Sequence, residues 1–386
     1  MKMNKSLLFA SVAVCGLALS SCGGSGVESE YFAFQEKEGG RWGLMNADGD
    51  VLLEDYDDNK PSIVTEGRFF LRNSNGKYEL YSAEEKPEQI GSDVYADWAI
   101  FTEGLAPVAK DSSSIIYINA DGEVKIELDK EIETATCFSD GLAAVEIDGK
   151  WGFINKDGEV VIPAIYASVG GFKDGLAIVE DTIVYKKDSY ESEPQTWNVI
   201  NKDGERQFEK DKLATEYTAE WPSYVDGVLA VKDVEKKCIC FIDEAGEIVG
   251  EPLKETVARI GTAYDGKFVF VESDGKFGFM NIDGEVLVKA KYDIMAYNGN
   301  ILIVKDGDEC FVIDEEGEKV GEEEYDDMNL FPEFVVGGED KIMVKDGKMW
   351  QIADAEGNVD KDAPEYYSIS FNVSTSASNQ IRPSLW

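Results

Sequence analysis

The sequence predicts an all-β chain of tandem short-strand repeats in a propeller-like arrangement. Three observations predict it. An acidic-glycine corner recurs as Asn46-Ala-Asp-Gly49, Asn119-Ala-Asp-Gly122, Asn155-Lys-Asp-Gly158, Asn201-Lys-Asp-Gly204 and Asn281-Ile-Asp-Gly284. Looser copies end at Gly246, Gly317 and Gly357, and a degenerate one lies at Tyr81–Glu85. Between the corners run short stretches of apolar and β-branched residues bounded by glycine, the pattern of strands between turns. Beyond the N-terminus no stretch keeps a helical period with caps.

Fixed-period self-similarity marks a repeat array. The corners step by 33 to 46 residues, so about nine units occupy residues 31–367 and leave no room for a separate catalytic domain. The longest step contains Asp181–Thr196, polar and charged, which is expected to form an enlarged loop. Each unit reads in three pieces. First comes a Phe-x-Asp/Glu-Gly-Leu-Ala-x-Val strand, as in Phe101–Val108, Phe138–Val145 and Phe172–Val179. A strand leading from an aromatic column to the corner follows, then an aliphatic run toward a tyrosine, as in Val160–Tyr166 and Val286–Tyr292. The Gly-Leu-Ala-x-Val strand is apolar on both sides, with Leu142 and Ala144 facing one way and Ala143 and Val145 the other, so it must be covered on both. Small alanines fit where radial sheets crowd together, which favours blades around an axis. Propellers usually hold 4–8 blades, and an open twisted β-solenoid accepts any number, so the solenoid stays open as the alternative. Residues 368–386 form a C-terminal tail that either caps the array or completes the first unit.

The N-terminus has its own logic. Lys2 and Lys5 precede an apolar run from Leu7 to Leu19, and Leu19-Ser20-Ser21-Cys22 follows. A basic start, a short apolar centre and small residues before a cut describe a signal peptide over residues 1–21. The run is too short to span a bilayer. The cysteine at the cut resembles the lipobox of bacterial lipoproteins, which implies a lipidated Cys22, a flexible tether over 22–30 and membrane attachment through the lipid alone. Gly23 after the cysteine, by resemblance to Gram-negative sorting, implies the outer membrane, on either its periplasmic or its surface-exposed face.

Composition narrows the partners. The formal net charge is −40, and loss of residues 1–21 removes two lysines and no acid. Such a charge repels nucleic acid and anionic lipid surfaces, and is compatible with cationic partners or with a role in solubility alone. The chain contains no histidine, which excludes Ser-His-Asp and Cys-His nucleophiles and His-ligated zinc. Cys137, Cys238, Cys240 and Cys310 are expected as buried thiols rather than a zinc site, with Cys238 and Cys240 pointing the same way from one strand. No phosphate-binding loop and no cofactor motif appears.

Two features look chemical and read as structural. Asp-Gly between strands is a hairpin signal because a type I′ turn needs positive φ at both central residues, and the corners lack the ligand spacing of a calcium loop. The aromatic column reads Trp42, Tyr78, Ile115, Trp151, Trp197, Ile239, Phe277, Cys310 and Trp350. A sugar-stacking platform needs a flat ring in every unit, whereas a packed position accepts any apolar residue of suitable size, so Trp42, Trp151, Trp197, Phe277 and Trp350 are expected as repeat core. The glycine after the aromatic residue (Gly43, Gly152, Gly278) is expected where a backbone or ring approaches closely.

Lys150-Trp151-Gly152-Phe153-Ile154-Asn155, with Gly175-Leu-Ala after it and Ile162-Pro163 between, resembles the WG-repeat family of bacterial proteins. The resemblance spans about residues 31–367, is strongest over 138–180 and weak between Lys77 and Ile118. It implies a β-rich repeat fold on an exported protein and carries no catalytic residues. The resulting expectation is a non-catalytic binding or scaffold module for an unidentified protein or glycan, with Trp98 and Trp221 as candidate contact residues. The alternatives are a glycan-active enzyme using an Asp/Glu pair and a purely structural envelope lipoprotein.

Overall fold

The computed structural model describes residues 28–371, apart from 112–113, 130, 182–196, 209–216, 220–223, 226, 234, 262 and 333–334, together with 380–381. The expected signal peptide, Cys22, most of the expected long loop and Trp221 lie outside the described residues. The described chain is all β and folds as a propeller. Its sheets resolve into nine units, each centred on one antiparallel hairpin. Unit 4 shows the full pattern: Ile132–Thr136, Ala143–Ile147, Lys150–Ile154 and Val160–Val169 form an antiparallel meander. The last of these strands runs on to become the first strand of unit 5, and the two units together with Gln380–Ile381, paired to Ile132–Thr136, make one seven-stranded sheet.

The second and third strands carry most of the buried positions. Ala143, Ala144 and Val145 are buried, as are Ala106–Ala109 and Val228–Val231. Apolar residues on both faces of one strand therefore meet neighbours on both faces, as the sequence requires. Their small alanines let adjacent units approach.

The two kinds of turn are built differently. Asp140 and Gly141 have φ of 54° and 81°, and Ser139 and Leu142 exchange both backbone hydrogen bonds across them. The same paired positive φ occurs at Glu66-Gly67, Glu103-Gly104, Asp174-Gly175 and Asp265-Gly266. These are the two-residue turns that demand left-handed backbone at both positions, and they sit in the Phe-x-Asp/Glu-Gly segment. The Asn-x-Asp-Gly corner is a correction to the type I′ expectation. There only the glycine has positive φ, as at Gly158 (82°), and the asparagine organises the turn. Asn155 Oδ1 accepts the N–H groups of Asp157 and Glu159 at 3.0 Å each, and Gly158 N–H reaches Asn155 O. A side chain that bonds its own backbone two and four residues on replaces the second left-handed residue.

The chain ends meet. Ser368–Ser370 pairs antiparallel with Phe32–Gln35, so the C-terminal segment supplies the missing first strand of unit 1. Ser29, fully buried, bridges Val335 of unit 9 on one side and Thr65 of unit 2 on the other. Phe32 packs against Phe331 and Phe371 with ring centroids 5.6 and 4.9 Å apart. Corner glycines report the same closure. A Cβ on Gly158 would meet Ile126 of unit 3, one on Gly204 would meet Ile162 of unit 4, and one on Gly49 would meet Tyr366 and Ile352 from the end of the chain. Strand-edge, ring and corner contacts therefore join unit 1 to unit 9. A ring, not an open solenoid, results.

Candidate interaction face

Strand order places the turns before the second strands and the Asn-x-Asp-Gly corners on the same side of the ring. Direct contacts confirm it: Lys156 of the unit 4 corner lies 3.0 Å from Glu103 of the unit 3 turn, and Lys202 of the unit 5 corner lies 3.8 Å from Asp140 of unit 4. Lys267 to Glu315 (2.6 Å) and Lys341 to Asp48 (3.7 Å) repeat the relation farther round the ring.

The turn acids form an inter-unit ladder. The Glu66 carboxylate accepts Gly104 N–H at 3.1 Å, Glu103 accepts Gly141 N–H at 3.1 Å, and Asp140 accepts Gly175 N–H at 2.7 Å. A second rung runs beneath. Thr102 Oγ1 donates to Phe138 O at 2.8 Å, Ser139 Oγ donates to Phe172 O, and Phe101 N–H donates to Thr65 Oγ1 at 3.0 Å. Residues one unit apart in sequence are thereby tied edge to edge. Hydrogen bonds to a charged acceptor are the stronger kind. The ion pairs, being partly exposed, add little stability. Their effect is on charge: these four lysines are spent within the face, while Asp121, Asp157, Asp203, Asp283 and Glu316 stand exposed at the corners. The opposite face mixes signs, with exposed Lys37, Lys77, Lys150 and Lys348 beside Asp148 and Asp308.

The aromatic column occupies the start of the third strands, near that opposite face. Trp151 and Trp197 are buried, whereas Trp42, Phe277 and Trp350 are half-buried. Lysine ammonium groups cover two of the half-buried rings, Lys60 at 5.7 Å from the Trp42 centroid and Lys345 at 5.3 Å from Trp350. Trp98 is a correction. It is 1% exposed in the first strand of unit 3, stacked on Phe70 at 5.1 Å and edge-on to Tyr78 at 6.0 Å, so it is core and not a contact residue. Its indole N–H is buried with no hydrogen-bond partner among the described residues. Asp97 beside it is pushed up to about 6 by burial, against the hydrogen bond from Trp98 N–H that pulls it down.

A depression of about 160 Å³ lies at the closure and is lined by Glu28, Glu30, Val64, Glu66, Gly67 and Phe101. Cys137, Cys238, Cys240 and Cys310 are buried thiols. Among the described residues no three metal-ligating side chains converge.

The architecture defines a β-propeller assembled from hairpin repeats. Residues 117–151, 151–181 and 277–310 each match the WG containing repeat, so the chain carries repeats of the WG-repeat family. No curated protein matches the sequence. Among solved structures, the crystal structure of a eukaryotic initiation factor is similar over 89% of this chain and 97% of its own, with 10% identity and a TM-score of 0.56. That similarity is one of fold alone. BamB from Moraxella catarrhalis (12% identity, 77% and 94% covered) and the dihydro-heme d1 dehydrogenase NirN (10% identity, 90% and 76% covered) have TM-scores of 0.40 and 0.41.

Proposed function

We propose that this protein is an exported, lipid-anchored binding module that docks a protein bearing a basic patch on its acidic turn face and performs no catalysis. The observation that carries the reading is the sorting of charge between faces. Corners from successive units stand side by side, their neighbouring lysines are neutralised within the same face, and the uncompensated acids point outward. Complementary potentials steer association and select partners more than they add affinity. A rigid ring offers that field on a fixed plane, so little ordering cost accompanies docking. Anchoring at Cys22 in the outer membrane of a Gram-negative cell, through the tether at 22–30, would hold the ring close to an envelope partner.

The test places a photo-crosslinking residue at Asp157 on the turn face or at Lys150 on the opposite face of the full chain in cells. A discrete protein adduct is expected from position 157 only, lost when the flanking corners are reversed in D121K/D203K, which keeps the melting temperature. Equal adducts from both faces, or adducts indifferent to the charge reversal, would refute the reading. Adducts with glycan rather than protein would refute the partner class. A C22A chain recovered in the soluble periplasmic fraction supports the anchor, and unchanged membrane recovery counts against it.

A further inference from the structure

Unit 6 departs from the repeat at two adjacent alternating positions. Where unit 4 has Lys150-Trp151-Gly152 and unit 7 has Lys276-Phe277-Gly278, unit 6 has Cys238-Ile239-Cys240. In unit 4 a side chain at the glycine is forbidden, since a Cβ would lie 2.5 Å from Ile162 O and 2.6 Å from Ala164 N of the fourth strand. Unit 6 removes that obstacle. Its fourth strand is only Ile248–Val249, its last pair is Phe241 with Val249, and Gly250 at φ 71° follows directly. The space left accommodates the Cys240 side chain. Cys238, in the position held by Arg41, Lys77, Lys150 and Lys276 in units 1, 2, 4 and 7, is 5% exposed, and Cys240 is 1% exposed. The two sulfurs lie 4.0 Å apart on the same side of the strand.

We propose that Cys238 and Cys240 form a two-coordinate site for a thiophilic monovalent metal ion, copper(I) being the class it fits. Soft thiolates select such ions. With metal–sulfur bonds of about 2.3 Å, the length of a zinc–thiolate bond, a two-coordinate ion brings its sulfurs close to this separation. Zinc wants four ligands, and no third cysteine, acid or histidine converges here among the described residues. The nearest carboxylate, Asp233, is engaged: its Oδ1 accepts Glu235 and Lys236 N–H at 3.0 and 2.7 Å, and its Oδ2 lies 3.2 Å from Lys236 Nζ. A disulfide is the lesser fit, because residues two apart on a strand are separated by about 6.6 Å at Cα, the long end of the disulfide range.

Binding breaks two S–H bonds, forms two metal–sulfur bonds and releases two protons, with no change of oxidation state. Burial, with Cys238 alongside, pushes the Cys240 thiol up to about 12. The bound ion with two thiolates carries one net negative charge, and Lys236 is the cation within electrostatic reach of Cys240. The site lies one residue beyond Lys237 at the hairpin turn, which gives an ion a short way in.

The test titrates the full chain with copper(I) under anaerobic conditions against a coloured chelator. One equivalent is expected to be lost in C238S and in C240S and kept in C137S and C310S, with two protons released per ion and two sulfur neighbours in X-ray absorption. C240G, which restores the repeat's own glycine, should fold normally and lose the ion, so a folding defect cannot mimic the result. Retention by C238S/C240S equal to that of the unaltered chain would overturn the proposal. So would a chain that arrives two mass units light, with the pair already a disulfide.

Discussion

Units 4 and 2 solve the same packing problem in opposite ways. In unit 4 a ten-residue strand, Val160–Val169, presses its backbone onto the third strand, and only a glycine fits at position 152. In unit 2 the hairpin Arg68–Arg72 with Tyr78–Ser82 stands as a two-stranded sheet, and its fourth strand is reduced to two isolated bridges, Tyr81 to Gln89 and Tyr78 to Tyr95. Glu79 occupies the glycine position there, its carboxylate accepting Asn73 Nδ2–H at 2.8 Å and Tyr81 O–H at 3.1 Å. Units 1 and 7 follow unit 4, with Gly43 and Gly278 under the seven-residue strands Val51–Asp57 and Val286–Tyr292. The family's glycine and a long fourth strand are therefore a matched pair in every unit but one. Unit 8 is the informative exception. It keeps a seven-residue fourth strand over Phe311, interrupted by Gly321 at φ 74°.

The largest expected effect tests that pairing. G152V in unit 4 should cost about 3 kcal/mol or more, because backbone atoms cannot step aside as a flexible side chain can. E79G in unit 2 should cost about 1 kcal/mol, the added backbone freedom of a strand glycine. Urea denaturation of both variants measures the difference. Equal losses would break the comparison.

The corners give the next effect. N155A removes the acceptor of two N–H groups and should cost about 1.5 kcal/mol. In unit 2 the residue at the corresponding place is Ser82, whose Oγ accepts only Glu88 N–H at 3.1 Å, so S82A should cost about half as much. Native-state hydrogen exchange at Asp157 and Glu159 would sharpen the assignment, since those amides should lose protection in N155A before the neighbouring strands do.

What was legible in the sequence follows from the same contrast. Glycines forced by backbone proximity announce themselves, so Gly43, Gly152 and Gly278 were assigned correctly, and so were the doubly apolar second strands. The Asp-Gly rule was sound chemistry applied to the wrong corner, because Asn155 at the start of the turn supplies by side chain what a second left-handed residue would supply by backbone. Trp98 was misread because its first strand is short, Asp97–Trp98, and gives no alternating pattern from which burial could be inferred. The acid-to-amide ladder was missed although its residues were in view. Phe-Thr-Glu-Gly at Phe101 and Phe-Ser-Asp-Gly at Phe138 carry a hydroxyl and an acid in fixed order, but their partners lie one unit away and no local rule points to them.

Asp97 offers a smaller, pH-dependent effect on the degenerate side of the ring. Burial raises its carboxyl from 3.8 to about 6, so the folded chain holds this proton more tightly than the unfolded one. Stability from this group is therefore greatest at low pH, falls as pH rises between about 4 and 6, and is constant above. D97N keeps an oxygen for Trp98 N–H and abolishes the charge. It should stabilise by about 1 kcal/mol at pH 7, a figure discounted for the partial exposure of the group, and by almost nothing at pH 4. Thermal melts at the two pH values decide it, and an equal gain at both would assign the effect to packing rather than ionisation.

The smallest effect concerns the outer side of the long fourth strand. Val160 and Val161 are 48% and 40% exposed, the corresponding Val51, Val124 and Val286 are exposed to a similar degree, and unit 2 has no such strand to display them. Side chains left in water contribute little transfer free energy, so V160T/V161T should change stability by less than about 0.5 kcal/mol. Threonine preserves the β-branched shape that a strand prefers, which isolates exposure from propensity. Should the double variant lose as much as N155A, those valines would be covered in the folded protein, and the fourth strand of unit 4 would owe its length to that cover as well as to Gly152.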